Sequence, residues 1–306
     1  MPKAVIVEVT HAESGQKLLQ FLERRLQGDV PRSAIMRWIR KGQVRVDKGR
    51  KKPFDRIQEG QNVRIPPYHA DEPDTAKTTH ADKPHLQIVH HENGLLVVNK
   101  PAGLAVHGGD GQVDSLVARL RNMFLNADFA PTLCHRLDRD TSGLLLAATS
   151  YGTLRTMNGL FASGGVHKLY LAWVSGRWEN PGTMLLEDRM EKKGRPGSEK
   201  MATGKGKTAR AEIHPLLSDT KASLLAIRLI TGRTHQIRVQ LASRNHPVIG
   251  DNKYGTTTRT QLKLHCFCMQ LPKLTFCQPP PWSGGWAVSE SLQKEAQMLL
   301  PDLFSE

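Results

Sequence analysis

The sequence points to an α+β fold built in two units, and three observations carry this. Some stretches repeat apolar residues at helical spacing, whereas others alternate them or run them together over a few positions, as strands do. The two kinds follow each other along the whole chain. A polar segment near residues 70–83 separates a strongly basic first quarter from a longer remainder. With 306 residues and domains commonly of about 100–200 residues, there is room for one full core and a small accessory domain. The expected division is 1–69, a linker at 70–83, and 84–306. The alternation is compatible with a sheet flanked by helices but does not order its strands.

In the first unit, residues 14–27 place Leu18, Leu19, Leu22 and Leu26 on one helical face, with Ser14 as a cap and Gly28 as a stop. Pro31 and Ser33 open a second helix with Ile35, Met36 and Ile39 inside, and Gly42 ends it where a left-handed residue is wanted. Arg37, Arg40 and Lys41 then share a face. Val44 and Val46 alternate with polar neighbours as a half-exposed strand, and Val63 to Ile65 supply another before Pro66-Pro67. Residues 1–69 hold fifteen Lys and Arg against seven Asp and Glu, which is +8 of the chain's net +14. So concentrated a charge implies phosphate contacts, with Arg32, Arg37, Arg40, Lys41 and Arg45 as candidates. The segment after it has almost nothing to bury and reads as flexible.

In the second unit, Ile88-Val89 and Leu95 to Val98 read as strands around a Glu92-Asn93-Gly94 turn, and Gly103, Gly108 and Gly109 permit close backbone approach. Asp114 to Leu125 forms an amphipathic helix, and Ser150 caps another carrying Leu154, Met157 and Phe161. Leu144 to Ala148, Lys168 to Val174, Ser223 to Ile230 and Leu262 to Leu271 are strand-like. Residues 178–208 are rich in Gly, Lys, Arg and Glu and are expected to form a hairpin with long exposed loops and no assigned chemistry.

A pI near 9.8 favours polyanionic partners, nucleic acid before membranes. No apolar run approaches the roughly 18 to 20 residues of a spanning helix, and the first ten residues lack a signal peptide's pattern, so a cytoplasmic protein is expected. Cys134, Cys266, Cys268 and Cys277 follow no disulfide framework and are expected as free thiols. Cys266 and Cys268 are too close for the usual zinc spacing, Met201 stands where a phosphate loop would need its first glycine, and His107-Gly108-Gly109 has no accompanying serine elbow. No metal or cofactor is expected.

The chemistry is expected at His135-Arg136-Leu137-Asp138-Arg139-Asp140-Thr141-Ser142-Gly143-Leu144-Leu145-Leu146. Charged side chains there meet a turn and a buried strand. A carboxylate beside arginines stays ionised, as a nucleophile or general base must be. This string resembles the catalytic motif of the RluA/RluC-type pseudouridine synthases, closest to the ribosomal large subunit pseudouridine synthase C type. Asn99-Lys100-Pro101-Ala102-Gly103 with Val106-His107, Lys168-Leu169-Tyr170, Gly232-Arg233-Thr234-His235-Gln236-Ile237-Arg238, and Asp251 with Tyr254-Gly255 resemble further motifs of that family. Together they extend the likeness over nearly all of residues 14–272. Residues 33–66 also resemble the alpha-L RNA-binding motif of a small-subunit ribosomal protein and of tyrosyl-tRNA synthetases.

The resemblance implies a catalytic domain on a mixed, mainly antiparallel sheet with flanking helices, plus a small N-terminal α/β RNA-binding domain. It implies Asp138 as the catalytic residue, Arg136 and Tyr170 as base-flipping and base-stacking groups, and Arg233 as the partner of Asp138. It further implies large-subunit ribosomal RNA as substrate, no cofactor and a monomer. Asp138 could attack the ribose, add to the base or abstract a ribose proton, and the residues do not choose among these. A base-removing glycosylase would also use a carboxylate and a flipping pocket but would release free uracil. A non-catalytic ribosome-assembly factor would need only the basic unit, and the motifs gathered around Asp138 argue against it.

Overall fold

The computed structural model describes residues 3–26, 30–68, 86–108, 114–194 and 200–301. The expected linker at 70–83, and Gly28 and Gly109, lie outside the described residues.

The first unit runs β1 (Val5–Glu8), a 3-10 turn (His11–Glu13), α1 (Leu18–Arg25), α2 (Arg32–Arg40), β2 (Arg45–Val46) and β3 (Asn62–Ile65). Its antiparallel sheet has the order β1-β3-β2. Leu18, Phe21 and Leu22 of α1 close over Ile35 and Ile39 of α2 and over Val63 of β3, so this unit has its own core. Helix α1 starts at Leu18, not near Ser14. Glu13 is buried and tied twice to Arg25 (2.6 and 2.7 Å), and it also accepts from the Thr10 amide (3.1 Å), which commits the preceding residues to the 3-10 turn. Strand β1 was not expected, because Val5 and Ile6 are both exposed and no buried face gives it an alternation. Helix α2 ends as expected, with Gly42 at φ +69°.

The second unit runs β4 (Gln87–Glu92), β5 (Leu95–Lys100), α3 (Leu116–Met123), β6 (Thr132–Leu133), β7 (Ser142–Ala148), α4 (Tyr151–Ser163), β8 (His167–Ser175), β9 (Met184–Lys193), β10 (Lys200–Thr203), β11 (Lys207–Ser218), β12 (Ala222–Leu229), α5 (Gln236–Ala242), β13 (Leu264–Leu271), β14 (Leu274–Cys277) and α6 (Glu290–Gln297). Its sheet of eleven strands follows β10-β9-β11-β12-β8-β13-β7-β5-β4, with β14 on β13 and β6 on β7. Among the described residues only the β13 to β7 pairing is parallel, so the sheet is mixed and mainly antiparallel, as the resemblance implied.

Strand alternation divides the core between the two faces of this sheet. On β8, Tyr170, Ala172 and Val174 face the side carrying Leu116, Met157 and Ile237, whereas Leu169, Leu171 and Trp173 face the side covered by α6. The register shifts between Cys266 and Cys268 on β13, and there the alternation breaks. Phe267 and Cys268 both turn to the α6 side before Met269 returns.

Two expectations need correction here. Residues 178–208 do pair as a hairpin, β9 against β10, but most of the described ones lie in strands, with the start of β11, where long exposed loops were expected. Leu186, Met190 and Ala209 are buried while Glu187 and Arg189 face outward, and Asp188, which turns inward to Gln240 and Arg244, puts a charge on the buried face and masks the alternation. The cysteines are not all free: Cys268 and Cys277 form a disulfide. They stand opposite each other on β13 and β14 with Cα atoms 4.2 Å apart, a closeness that follows from strand pairing and is invisible in sequence spacing. Cys134 and Cys266 are free.

The two units touch. Arg24 of α1 lies 4.3 Å over the Phe129 ring and donates to Thr132 Oγ1. Arg56 donates to the Tyr151 hydroxyl (3.3 Å) at the start of α4.

Candidate active site

Asp138 sits in the turn entering β7, and three features hold that turn. The Thr141 amide donates to the Asp138 carbonyl (3.2 Å). One residue after Asp138, the Arg139 carbonyl accepts from the Gly103 amide (2.9 Å) and from Lys100 Nζ (2.8 Å). Lys100 is wholly buried and also donates to the carbonyls of Pro101 and Leu104, so its three protons find three acceptors. Burial pulls its pKa down to about 8, against the charges of Asp140 and Asp138. Gly143 has φ +110°, and a Cβ there would lie 2.3 Å from the Cys266 carbonyl oxygen. The glycine of the Thr-Ser-Gly string is therefore required by the close approach of β7 to β13.

Two arms of one cleft, of about 750 and 680 Å³, meet at Arg136, Asp138, His235 and Arg238. The larger arm has Leu137, Phe161, Tyr170 and Ile230 in its wall. The smaller is basic, lined by Arg139, Lys253 and Arg259. Arg136 is exposed at the rim of both arms, and Tyr170 is buried on the floor of the larger one. Burial raises the Tyr170 phenol well above its ordinary value. Asp140 forms a half-exposed pair with Arg139 (3.2 Å) on the wall of the smaller arm.

The partner of Asp138 in the structure is Arg238, not Arg233. Arg238 Nη1 donates to Asp138 Oδ2 (3.3 Å), while its Nε and Nη2 grip both oxygens of Asp251 (2.7 and 2.8 Å). Arg238 is 5 % exposed and Asp251 1 %. Burial alone would lower the Arg238 guanidinium, but the hydrogen bond and charge of Asp251, with Asp138, more than offset this and raise it. Burial would likewise push Asp251 up, and Arg238 with the amides of Lys253 and Tyr254 holds it below the ordinary carboxylate value. Arg233 is exposed and donates to the Thr208 carbonyl (2.9 Å). It precedes the turn into α5 and points back along β11, whereas the first turn of α5 carries Arg238 inward. Both arginines belong to one motif, and the sequence places Arg233 at a strand end without showing that the turn reverses it.

Several site residues were quoted in motifs but given no role: Lys100, His235, Asp251 and Tyr254. The available signal was the presence of charged or ring side chains beside glycines in those strings. Of the N-terminal candidates, Arg32 is paired with Glu23 (2.6 Å). Arg37, Arg40 and Lys41 are exposed on and just after α2, Arg45 is half-buried on β2, and none of these four makes an ion pair among the described residues.

A carboxylate held by a buried guanidinium at the junction of two arms of a cleft is the arrangement of an enzyme site. The sequence model of the family described as RNA pseudouridylate synthase matches residues 94–243. The protein named Ribosomal large subunit pseudouridine synthase C from Vibrio vulnificus (strain CMCP6) is 38% identical over 309 residues, covering 97% of each chain. Its namesake from Escherichia coli (strain K12) is 37% identical over 263 residues, covering 83% of this chain and 81% of its own. In fold, the chain is similar to Human RNA Pseudouridylate Synthase Domain Containing 1, with a TM-score of 0.58 at 24% identity over 71% of this chain and 96% of that one. The chain belongs to the RNA pseudouridylate synthase family and is an isomerase.

Proposed function

We propose that this enzyme converts specific uridines of large-subunit ribosomal RNA to pseudouridine in the cytoplasm, with Asp138 as the catalytic residue. The observation that carries this reading is the Asp138 carboxylate, hydrogen-bonded to buried Arg238 at the meeting point of an aromatic-floored arm and a basic arm. The names of its relatives support the choice of RNA. The target base leaves its stack, at a cost of a few kcal/mol. Arg136, exposed at the rim, is suited to the vacated position, and Tyr170 receives the base. The basic arm takes neighbouring phosphates, and the N-terminal unit adds contacts through Arg37, Arg40, Lys41 and Arg45, with Arg32 beside them. The N1 to C1′ bond breaks, the base turns, and a C5 to C1′ bond forms. C5 loses a proton and N1 gains one, so the reaction is redox-neutral and conserves mass.

Carbodiimide mapping of pseudouridine in large-subunit ribosomal RNA, from cells with and without the gene, tests the reading. Loss of one or more sites on deletion, restored by the wild-type gene, is expected. An unchanged map would overturn the choice of substrate.

A further inference from the structure

His235 stands next to Asp138 in an unusual backbone state. It is the residue before α5 and has φ +53°, a left-handed conformation uncommon outside glycine, although histidine adopts it more readily than most side chains. Such strain persists only where the surroundings hold it, and it gathers at functional sites. Its Nε2 lies 3.8 Å from Asp138 Oδ2, the same oxygen that Arg238 contacts. Its Nδ1 lies 2.6 Å from the Tyr254 hydroxyl.

The hydrogen-bond network and the facing carboxylate together point to one tautomer. The Tyr254 hydroxyl accepts from the Met201 amide of β10 (3.2 Å), so its single proton is available for His235 Nδ1. Nε2 then carries the ring proton and faces Asp138. The charged and titratable neighbours are Asp138 in the turn before β7, Arg238 on α5, and Asp251, Lys253 and Tyr254 in the segment that follows α5. Burial lowers the His235 pKa, with Arg238 and Lys253 reinforcing and the two aspartates opposing, so the ring is neutral at physiological pH. The Arg238 guanidinium also lies 5.2 Å over the Tyr254 ring, which joins all these groups in one cluster.

We propose that His235 is a positioning residue for Asp138: its Nε2 proton, directed by Tyr254, closes on Oδ2 beside Arg238 and leaves Oδ1 as the oxygen offered to the substrate. This rests on the reading of Asp138 as the reacting carboxylate. Closing from 3.8 Å to hydrogen-bond distance requires a shift of about 1 Å, of the size that substrate binding supplies. Protonation of His235 turns the contact into a full ion pair and withdraws the carboxylate from reaction. Activity therefore falls on the acid side as His235 titrates.

The test is the single-turnover rate of the full-length enzyme across pH 5 to 9, on RNA tritiated at carbon five of uracil, with thermal unfolding measured beside it. Tyr254→Phe should slow the step about tenfold with KM within about twofold, because Nδ1 no longer has its donor. Its acid limb should move to higher pH, since a hydrogen bond to the neutral ring opposes protonation. His235→Gln keeps a donor near the Nε2 position and should keep more activity than His235→Leu, but without the histidine limb. Rates within twofold of wild type and a superimposable pH profile for Tyr254→Phe and His235→Gln would overturn the proposal. So would losses that track thermal stability while the profile keeps its shape. Asp138→Asn separates the two readings: if it is active, the catalytic assignment fails, and if it is inactive while the other variants match wild type, only the role of His235 fails.

Discussion

The cleft around Asp138 and the outer face of α2 are both rich in charge, but they hold it differently. In the cleft, Arg238 is buried and shared between two carboxylates, and each partner is placed to within a hydrogen bond. On α2 and just beyond it, Arg37, Arg40 and Lys41 are exposed and make no ion pair among the described residues. A buried, interlocked charge is costly to disturb, because removing one partner leaves the others without compensation. An exposed charge contributes through long-range attraction that salt screens, and its effects add. Catalysis is therefore expected to depend steeply on single residues of the cleft, and RNA affinity to depend gently on many residues of the N-terminal unit.

The largest effect short of removing Asp138 itself is expected from Arg238→Ala. It strands Asp138 and Asp251 together, at roughly 3–5 kcal/mol in activity, stability or both. Arg238→Lys should recover part of this, since charge survives although the planar fork is lost. Arg233→Ala should cost far less. Turnover and denaturant unfolding of the three variants would show it, and equal losses for Arg233→Ala and Arg238→Ala would break the contrast.

Acid should separate the regions next. His265 donates from Nε2 to the Gln278 carbonyl and, as a neutral ring, accepts at Nδ1 from the Ser142 hydroxyl, and burial pushes its pKa down to about 4. His135 is pushed down to about 3 by burial. Below the ordinary value of about 6.5 the unfolded chain binds these protons first. Stability present above pH 6.5 is thus lost as pH falls towards 4, by roughly 3 kcal/mol for His265 at about 1.4 kcal/mol per unit. Unfolding midpoints at pH 7, 5.5 and 4.5 check this, and a flat profile would show that the two rings are not buried neutral.

Smaller and more gradual effects are expected in the N-terminal unit. Replacing Arg37, Arg40, Lys41 and Arg45 together by Gln should make the slope of log affinity against log salt shallower by about 3, at roughly 0.7–0.9 per phosphate contact. Charge removal is a cleaner test than deleting residues 1–69, which would uncover Phe129 where Arg24 now covers it. Arg37→Gln alone should change the slope by less than about 1 and the stability by no more than about 0.5 kcal/mol. An unchanged slope in the fourfold variant would mean that the face is only solvated.

Most of the long elements, and the placing of the Asp138 carboxylate beside an arginine, could be read from the residues. Buried strands such as β7 announce themselves by continuous apolar runs, and Ser150 caps its helix as the spacing implied. What escaped depended on three-dimensional pairing. Strand β1 has no buried face to betray it, and β9 hides its buried positions among charges. Cys268 and Cys277 meet only because β13 and β14 pair in one register. The exchange of Arg233 for Arg238 has the same origin. A turn of three residues decides which of two arginines in one motif points inward, and nothing in the local pattern encodes its direction.

The central claim is tested most directly by Asp138→Asn in the full-length protein, measuring tritium release from RNA labelled at carbon five of uracil together with the RNA dissociation constant. The substitution removes charge and nucleophilicity while hardly changing shape. Pseudouridine formation should be abolished with affinity nearly unchanged, and Asp140→Asn, at a half-exposed turn position paired with Arg139, should retain substantial activity. Release by Asp138→Asn within tenfold of wild type would contradict the assignment.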